Sequence, residues 1–226
     1  MVSAKDTAFG FLFLNRFFKE ERKMKLSIKK GLAALFGAAM FLACAAAGAE
    51  AKQYEGVAVG LSVMNQYPLG DWGDYAKMNV GGGLAAEYTL PHFLPLSIDL
   101  GASFRFEFAH TIPKSDTTLK SHNEIRATAG LFFRIPFAIG GCTLALQPEV
   151  AVGASLNNTE GQNGAKASGW YTDTLIMVSP SVRFVPASEA LSHMEFELAP
   201  VWTLSLEDSN TVNNIGFRLG GVWHFE

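Results

Sequence analysis

Residues 96–108 alternate without a break. Leu96, Ile98, Leu100, Ala102, Phe104, Phe106 and Phe108 stand against Ser97, Asp99, Gly101, Ser103, Arg105 and Glu107. Strict period 2 puts the two sets on opposite faces of an extended strand, whereas a helix needs a period near 3.6. Length adds a second constraint. Soluble strands usually run about 5–6 residues, and a tilted membrane-crossing strand needs roughly 9–11. This run reaches the second class with overhang.

The pattern recurs eight times, over residues 57–63, 80–90, 96–108, 124–135, 143–154, 173–184, 194–204 and 214–225. Within these runs lie 13 charged residues: Glu87, Asp99, Arg105, Glu107, Glu124, Arg126, Arg134, Glu149, Asp173, Arg183, Glu195, Glu197 and Arg218. All occupy the face opposite the apolar one. A basic side chain facing lipid at the bilayer midplane costs about 2–4 kcal/mol, so a membrane barrel keeps such charges inward, lining its lumen. The connections alternate in character. Residues 65–79, 109–123, 157–170 and 207–213 are long and polar, 91–95 and 136–141 are tight, and 186–193 is intermediate. Long loops at one rim and short turns at the other is the outer-membrane arrangement, with termini periplasmic and long loops extracellular. The expected fold is therefore all-β, an eight-stranded antiparallel transmembrane β-barrel in the bacterial outer membrane, in contact with its lipid. Tyr88, Phe133, Phe184, Trp202, Trp223 and Phe225 fall toward strand ends, where interfacial aromatics belong.

The start of the chain reads differently. Residues 32–47 form an apolar run after Lys25, Lys29 and Lys30, and Ala47-Gly48-Ala49 fits an A-x-A cleavage site. A basic segment, an apolar segment and a small-residue cut site make a secretory signal peptide. Residues 24–49 are assigned to it, residues 1–23 to an upstream extension from an early start codon, and residues 50–226 to the barrel, with Ala51 as a second cleavage point. Phe41-Leu42-Ala43-Cys44 loosely resembles a lipobox. If Cys44 leaves with the signal, Cys142 is the one cysteine remaining and no internal disulfide forms. Residues 1–49 carry eight of the 18 Lys+Arg and three of the 21 Asp+Glu, so the mature part has a net charge of −8. An acidic chain without a basic stripe does not suit nucleic acid as partner.

Two motifs carry a resemblance. Arg218-Leu219-Gly220-Gly221-Val222-Trp223-His224-Phe225 looks like the C-terminal signal read by bacterial barrel-assembly machinery, with Gly220, Trp223 and Phe225 at its key positions and Glu226 as one extra residue. Pro148-Glu149-Val150-Ala151-Val152-Gly153 is similar to the Pro-Tyr-Val-Gly-Ala-Gly stretch on the fifth strand of small outer-membrane barrels, including the OmpW/AlkL family, with Glu149 in place of the aromatic. That resemblance implies a narrow, largely hydrophobic passage for small apolar solutes.

The lumen residues leave two readings open. An eight-stranded barrel is just wide enough for side chains to fill, and dry unpaired charges are very costly. The charges should therefore pair, giving either a plugged barrel that serves as a structural protein or adhesin for a host surface ligand, or a narrow pore. Gly60, Gly81, Gly83 and Ala85 leave room on one side for the pore. No enzyme is expected: a barrel hydrolase or acyl transferase needs His and Ser placed together, and His92, His110, His122, His193 and His224 are scattered. No cofactor is expected, and no metal spacing is visible. Pro148, Pro180 and Pro200 lie on the fifth, sixth and seventh strands at similar heights. Proline donates no ladder hydrogen bond, so they mark either bulges or a lateral opening.

Overall fold

The computed structural model describes residues 54–90, 98–139, 142–162, 169–186, 189–206 and 211–225. The expected signal peptide, its cleavage site, the upstream extension and Cys44 lie outside the described residues. The barrel unit spans Gly48–Glu226. Its elements in order are β1 (Gly56–Leu69), a single helical turn α1 (Trp72–Tyr75), β2 (Ala76–Thr89), β3 (Asp99–Pro113), β4 (Leu119–Ile139) and β5 (Cys142–Gly161). There follow β6 (Gly169–Val185), a 3-10 turn (Glu189–Leu191), β7 (Met194–Leu206) and β8 (Thr211–His224).

Each strand pairs antiparallel with its sequence neighbour, and β1 pairs with β8, so the sheet closes as an eight-stranded barrel. Closure leaves no open edge, which is the condition for a sheet in a medium that offers no hydrogen bonds. The closing seam runs from Ala58↔His224 to Leu69↔Asn213. It is extended by one more bond, from the Phe225 amide to the Val57 carbonyl at 3.0 Å. With eight strands, both chain ends of the barrel fall at the rim of the short turns.

The two faces are inverted relative to a soluble protein. Leu61 is 68 % exposed and Leu131 73 %, whereas Arg183 and Arg218 are 0 % exposed. Apolar side chains project outward from all eight strands as an unbroken belt, and the polar ones fill the interior. Tyr88, Phe184, Trp223 and Phe225 are exposed on the outer face near the short-turn rim, while Trp202 sits within β7 opposite Val178.

The long connections are shorter than the alternation of the sequence suggests. Of residues 65–79 only 70–75 lie outside β1 and β2, because both strands continue past the apolar belt. The same holds for β3 and β4, β5 and β6, and β7 and β8. Beyond the apolar belt the inward side chains stay polar and buried, and the backbone pairing persists where the apolar alternation stops.

The prolines interrupt the ladder. Pro148 and Pro180 are register partners, and neither has an N–H to give the other. Between β6 and β7 pairing stops after Val178↔Trp202 and resumes at Val182↔Leu198, and Pro200 falls in that gap. Between β4 and β5 it stops after Phe132↔Glu149 and resumes at Ile135↔Leu146.

Candidate functional site

The interior is built from residues that period 2 turns inward, and its charges meet in three tiers. The middle tier joins six strands. The Arg183 guanidinium on β6 donates to both oxygens of Glu87 on β2, at 2.7 and 2.8 Å, and to Glu195 on β7 at 3.3 Å. Arg105 on β3 donates to Glu149 on β5 at 2.8, 3.0 and 3.1 Å and to Glu87 at 3.1 Å. Arg218 on β8 donates to Glu197 at 2.9 Å and to the Ser179 hydroxyl at 3.1 Å. It also lies 3.5 Å from both Glu107 and Glu149. Ser103 donates to Glu149, and Gln147 to Glu87 at 3.3 Å. None of the charged side chains in this tier is more than 4 % exposed. Such groups survive burial when opposite charges and hydrogen bonds replace water on several sides, and planar guanidiniums that bridge two or three carboxylates do this efficiently.

The second tier closes the short-turn end. Arg134 pairs with Glu195, and His224 Nε2 lies 3.0 Å from that same carboxylate. The Tyr54 ring, just before β1, stacks on the His224 ring with 3.7 Å between centroids. Arg134 sits 5.0 Å from the Tyr54 centroid, in cation–π geometry. The Tyr54 hydroxyl donates to the Ser192 carbonyl at 2.6 Å. Tyr54 is thus a stopper laid across one end of the lumen. Its role is invisible in the sequence, where it is one aromatic ahead of the first alternating run.

The third tier lies toward the long loops. Arg126 donates to Glu124 and to the Gln66 side-chain carbonyl, each at 2.6 Å. Above it a small cleft is lined by Trp72, Asn79, His122, Glu124, Asn157, Asp173, Ser205, Val212 and Asn214. Asn157 donates to Asp173 at 2.7 Å, Asn79 donates to Asn214 at 3.2 Å, and Thr111 donates to Asn79 at 2.8 Å. Trp72 on α1 meets the His122 ring edge-on at 5.1 Å.

All 13 charged positions singled out in the sequence are buried, but they are not one cluster. Asp99 lies at the first position of β3, in register with Arg134, and Asp173 belongs to the mouth. Neutral partners escaped notice in the sequence: Gln66, Gln147, Ser103, Ser179, and the thioethers of Met64 and Met177, which lie 3.9 and 3.7 Å from Arg126 and Arg218. Small polar residues alternate in every strand, so no local signal marks the few that receive a guanidinium.

At the chain end Gly220 faces Glu197 across the β7–β8 ladder, while Trp223 and Phe225 point outward, 43 % and 50 % exposed. His110 and His122 stand near the long-loop rim, bonded to Asn123 and Thr159. His193 and His224 stand at the opposite rim, and His92 lies outside the described residues. Among the described residues no three of His, Cys, Asp and Glu form a group able to hold a metal by themselves. Cys142 is a free thiol at the start of β5.

No protein-family model matches the chain, and no curated protein matches it either. Among solved structures it is similar to the Neisserial surface protein A, at 10% identity and a TM-score of 0.46, covering 77% of this chain and 100% of that one. It is also similar to Ail, the attachment invasion locus protein of Yersinia pestis, at 16% identity and 0.45, covering 76% and 99%. A third likeness is to the N-terminal β-barrel domain of Pseudomonas aeruginosa OprF, at 15% identity and 0.40, covering 76% and 100%. At these values nothing about this chain rests on the likeness.

Proposed function

We propose that the protein is a bacterial outer-membrane barrel whose lumen is closed, and that it works through its surface and rims, as a structural protein or adhesin, rather than as a passage. The outer-membrane reading rests on the inverted faces: an apolar belt on every strand around a charged interior has no rationale in water, where the belt would aggregate. The same reading puts both termini in the periplasm and the long loops outside.

One observation carries the closed reading, the middle tier. Arg105, Arg183 and Arg218 reach across the interior to carboxylates from β2, β5 and β7, and Tyr54 stops the short-turn end. An apolar solute would have to break several buried ion pairs, each costing about 3–5 kcal/mol once one partner is left alone. The hydrophobic passage implied by the OmpW/AlkL resemblance finds no support in that geometry, and neither does lateral escape at the prolines, where Pro148 and Pro180 flank Glu149, Ser179 and Arg183. The test is single-channel recording in planar bilayers beside uptake of a small hydrophobic tracer into liposomes. Silence in both is expected. Steady unitary conductance or tracer uptake by the wild-type protein overturns the closed reading, and binding of folded protein to host matrix coats would give the surface role its partner.

A further inference from the structure

At the long-loop mouth each strand contributes one short polar side chain to a ring: Gln66, Asn79, Thr111, Glu124, Asn157, Asp173, Ser205 and Asn214, all 7 % exposed or less. The ring has two carboxylates and one guanidinium, that of Arg126. Carboxylates outnumber guanidiniums here, as they do deeper in the lumen.

Glu124 shows where the surplus negative charge points. One of its oxygens pairs with Arg126 at 2.6 Å. The other, Oε1, is buried, lines the cleft and has no hydrogen-bond partner. A buried carboxylate oxygen without a donor is costly, so the cleft favours an occupant that supplies positive charge. Space restricts it further. The cleft's inner space holds about one water-sized body, the scale of a small ion. The available donors are hard oxygens. Asn157 turns its amide nitrogen to Asp173, which leaves its carbonyl oxygen as an acceptor, and the Ser205 hydroxyl adds another oxygen to the lining.

We propose that the mouth of the barrel binds one hard divalent cation, Ca2+ or Mg2+, between Glu124 and Asp173, with amide and hydroxyl oxygens of the ring completing the shell. Two carboxylates plus neutral oxygens and water suit these ions, and soft metals find no thiolate in the lining. The ion ties β4 to β6 across β5, and it sits beneath Trp72, so it also anchors the first loop. This goes beyond the closed-barrel reading and does not depend on it, because the cleft lies above the ion-pair tiers.

The probe is Tb3+, a hard ion whose luminescence is sensitised by a nearby indole, titrated into the full barrel folded in detergent, with Ca2+ and Mg2+ as competitors. Saturable luminescence, displaced by Ca2+ or Mg2+ with an affinity on the order of 10⁻⁴–10⁻³ M as in extracellular calcium modules, is expected. Glu124→Gln and Asp173→Asn, both near-isosteric, should each weaken it roughly tenfold or more through loss of ligand charge. Glu160→Gln, in an exposed pair with Lys120, should leave it unchanged. Trp72→Phe should remove the luminescence yet keep the rise of the unfolding midpoint with Ca2+. If one carboxylate variant fails to fold, as read by heat-modifiable gel mobility, the other still decides. Absence of saturable luminescence, its survival in the carboxylate variants, or an equal midpoint rise with Na+ at matched ionic strength overturns the proposal; the cleft then holds water.

Discussion

Replacing Arg183 with Met removes the guanidinium at the centre of the lumen while keeping an unbranched side chain of similar reach. In the folded protein Glu87 then keeps only Arg105 at 3.1 Å and Gln147 at 3.3 Å, and Glu195 loses its second cation. Removing one partner of a buried pair costs about 3–5 kcal/mol. Because Arg105 and Arg134 still reach the two orphaned carboxylates, the lower end applies, about 3 kcal/mol or roughly a hundredfold in the folding equilibrium. The control is Lys120→Met. Lys120 and Glu160 form a pair of comparable length, 3.0 Å, but are 65 % and 48 % exposed, so its loss should cost no more than about 1 kcal/mol. Urea unfolding of barrels in lipid vesicles, with heat-modifiable gel mobility as the check on folding, reads both. The double variant Arg183→Met, Glu87→Gln should recover about 1–3 kcal/mol relative to the sum of the singles, since the two residues share one network. Equal midpoints for Arg183→Met and Lys120→Met, with no coupling in the double variant, would show that the lumen is wet and its charges independently solvated.

Deleting Phe225 and Glu226 removes the last bond of the β1–β8 seam, at 3.0 Å, together with the outward aromatic of the C-terminal motif. The truncated chain should lack the heat-modifiable folded form in cells, and folding at wild-type yield would refute the assembly role. Ser179, Ser181 and Val201 lie within the gap in the β6–β7 ladder, so their amides should exchange faster than those of Ile176 and Leu204 at a nearby paired stretch; uniform protection across β6 and β7 would count against a weakened belt. His122 titrates below its free value of 6.5 because it is buried. The unfolded chain therefore takes up the proton first, and its contribution to stability, present above pH 6.5, is lost as pH falls through and below that value. The unfolding midpoint of wild type, compared with that of His122→Gln, should drop more steeply on acidification, and parallel pH profiles would contradict this.

Strand number, closure and the sorting of side chains were legible in the sequence because period 2 in a membrane barrel is enforced twice, by lipid outside and by a narrow lumen inside. Residues 96–108 carry that signal almost alone, and Arg105 and Glu107 could be placed inward because a charge on the lipid face is so unfavourable. The partners of those charges were not legible. Arg183 meets Glu87 across 96 positions of sequence, a contact set by the stagger of strands around the barrel, which hydrophobic periodicity does not encode. The same is true of Tyr54 closing one end and of the polar ring at the other. Gln66, Asn79 and Asn157 read as loop residues because the apolar alternation ends there, although the backbone ladder continues. Which inward groups share a height depends on register, and only the closed barrel decides it, since each strand can slide by two residues and keep the same faces in and out.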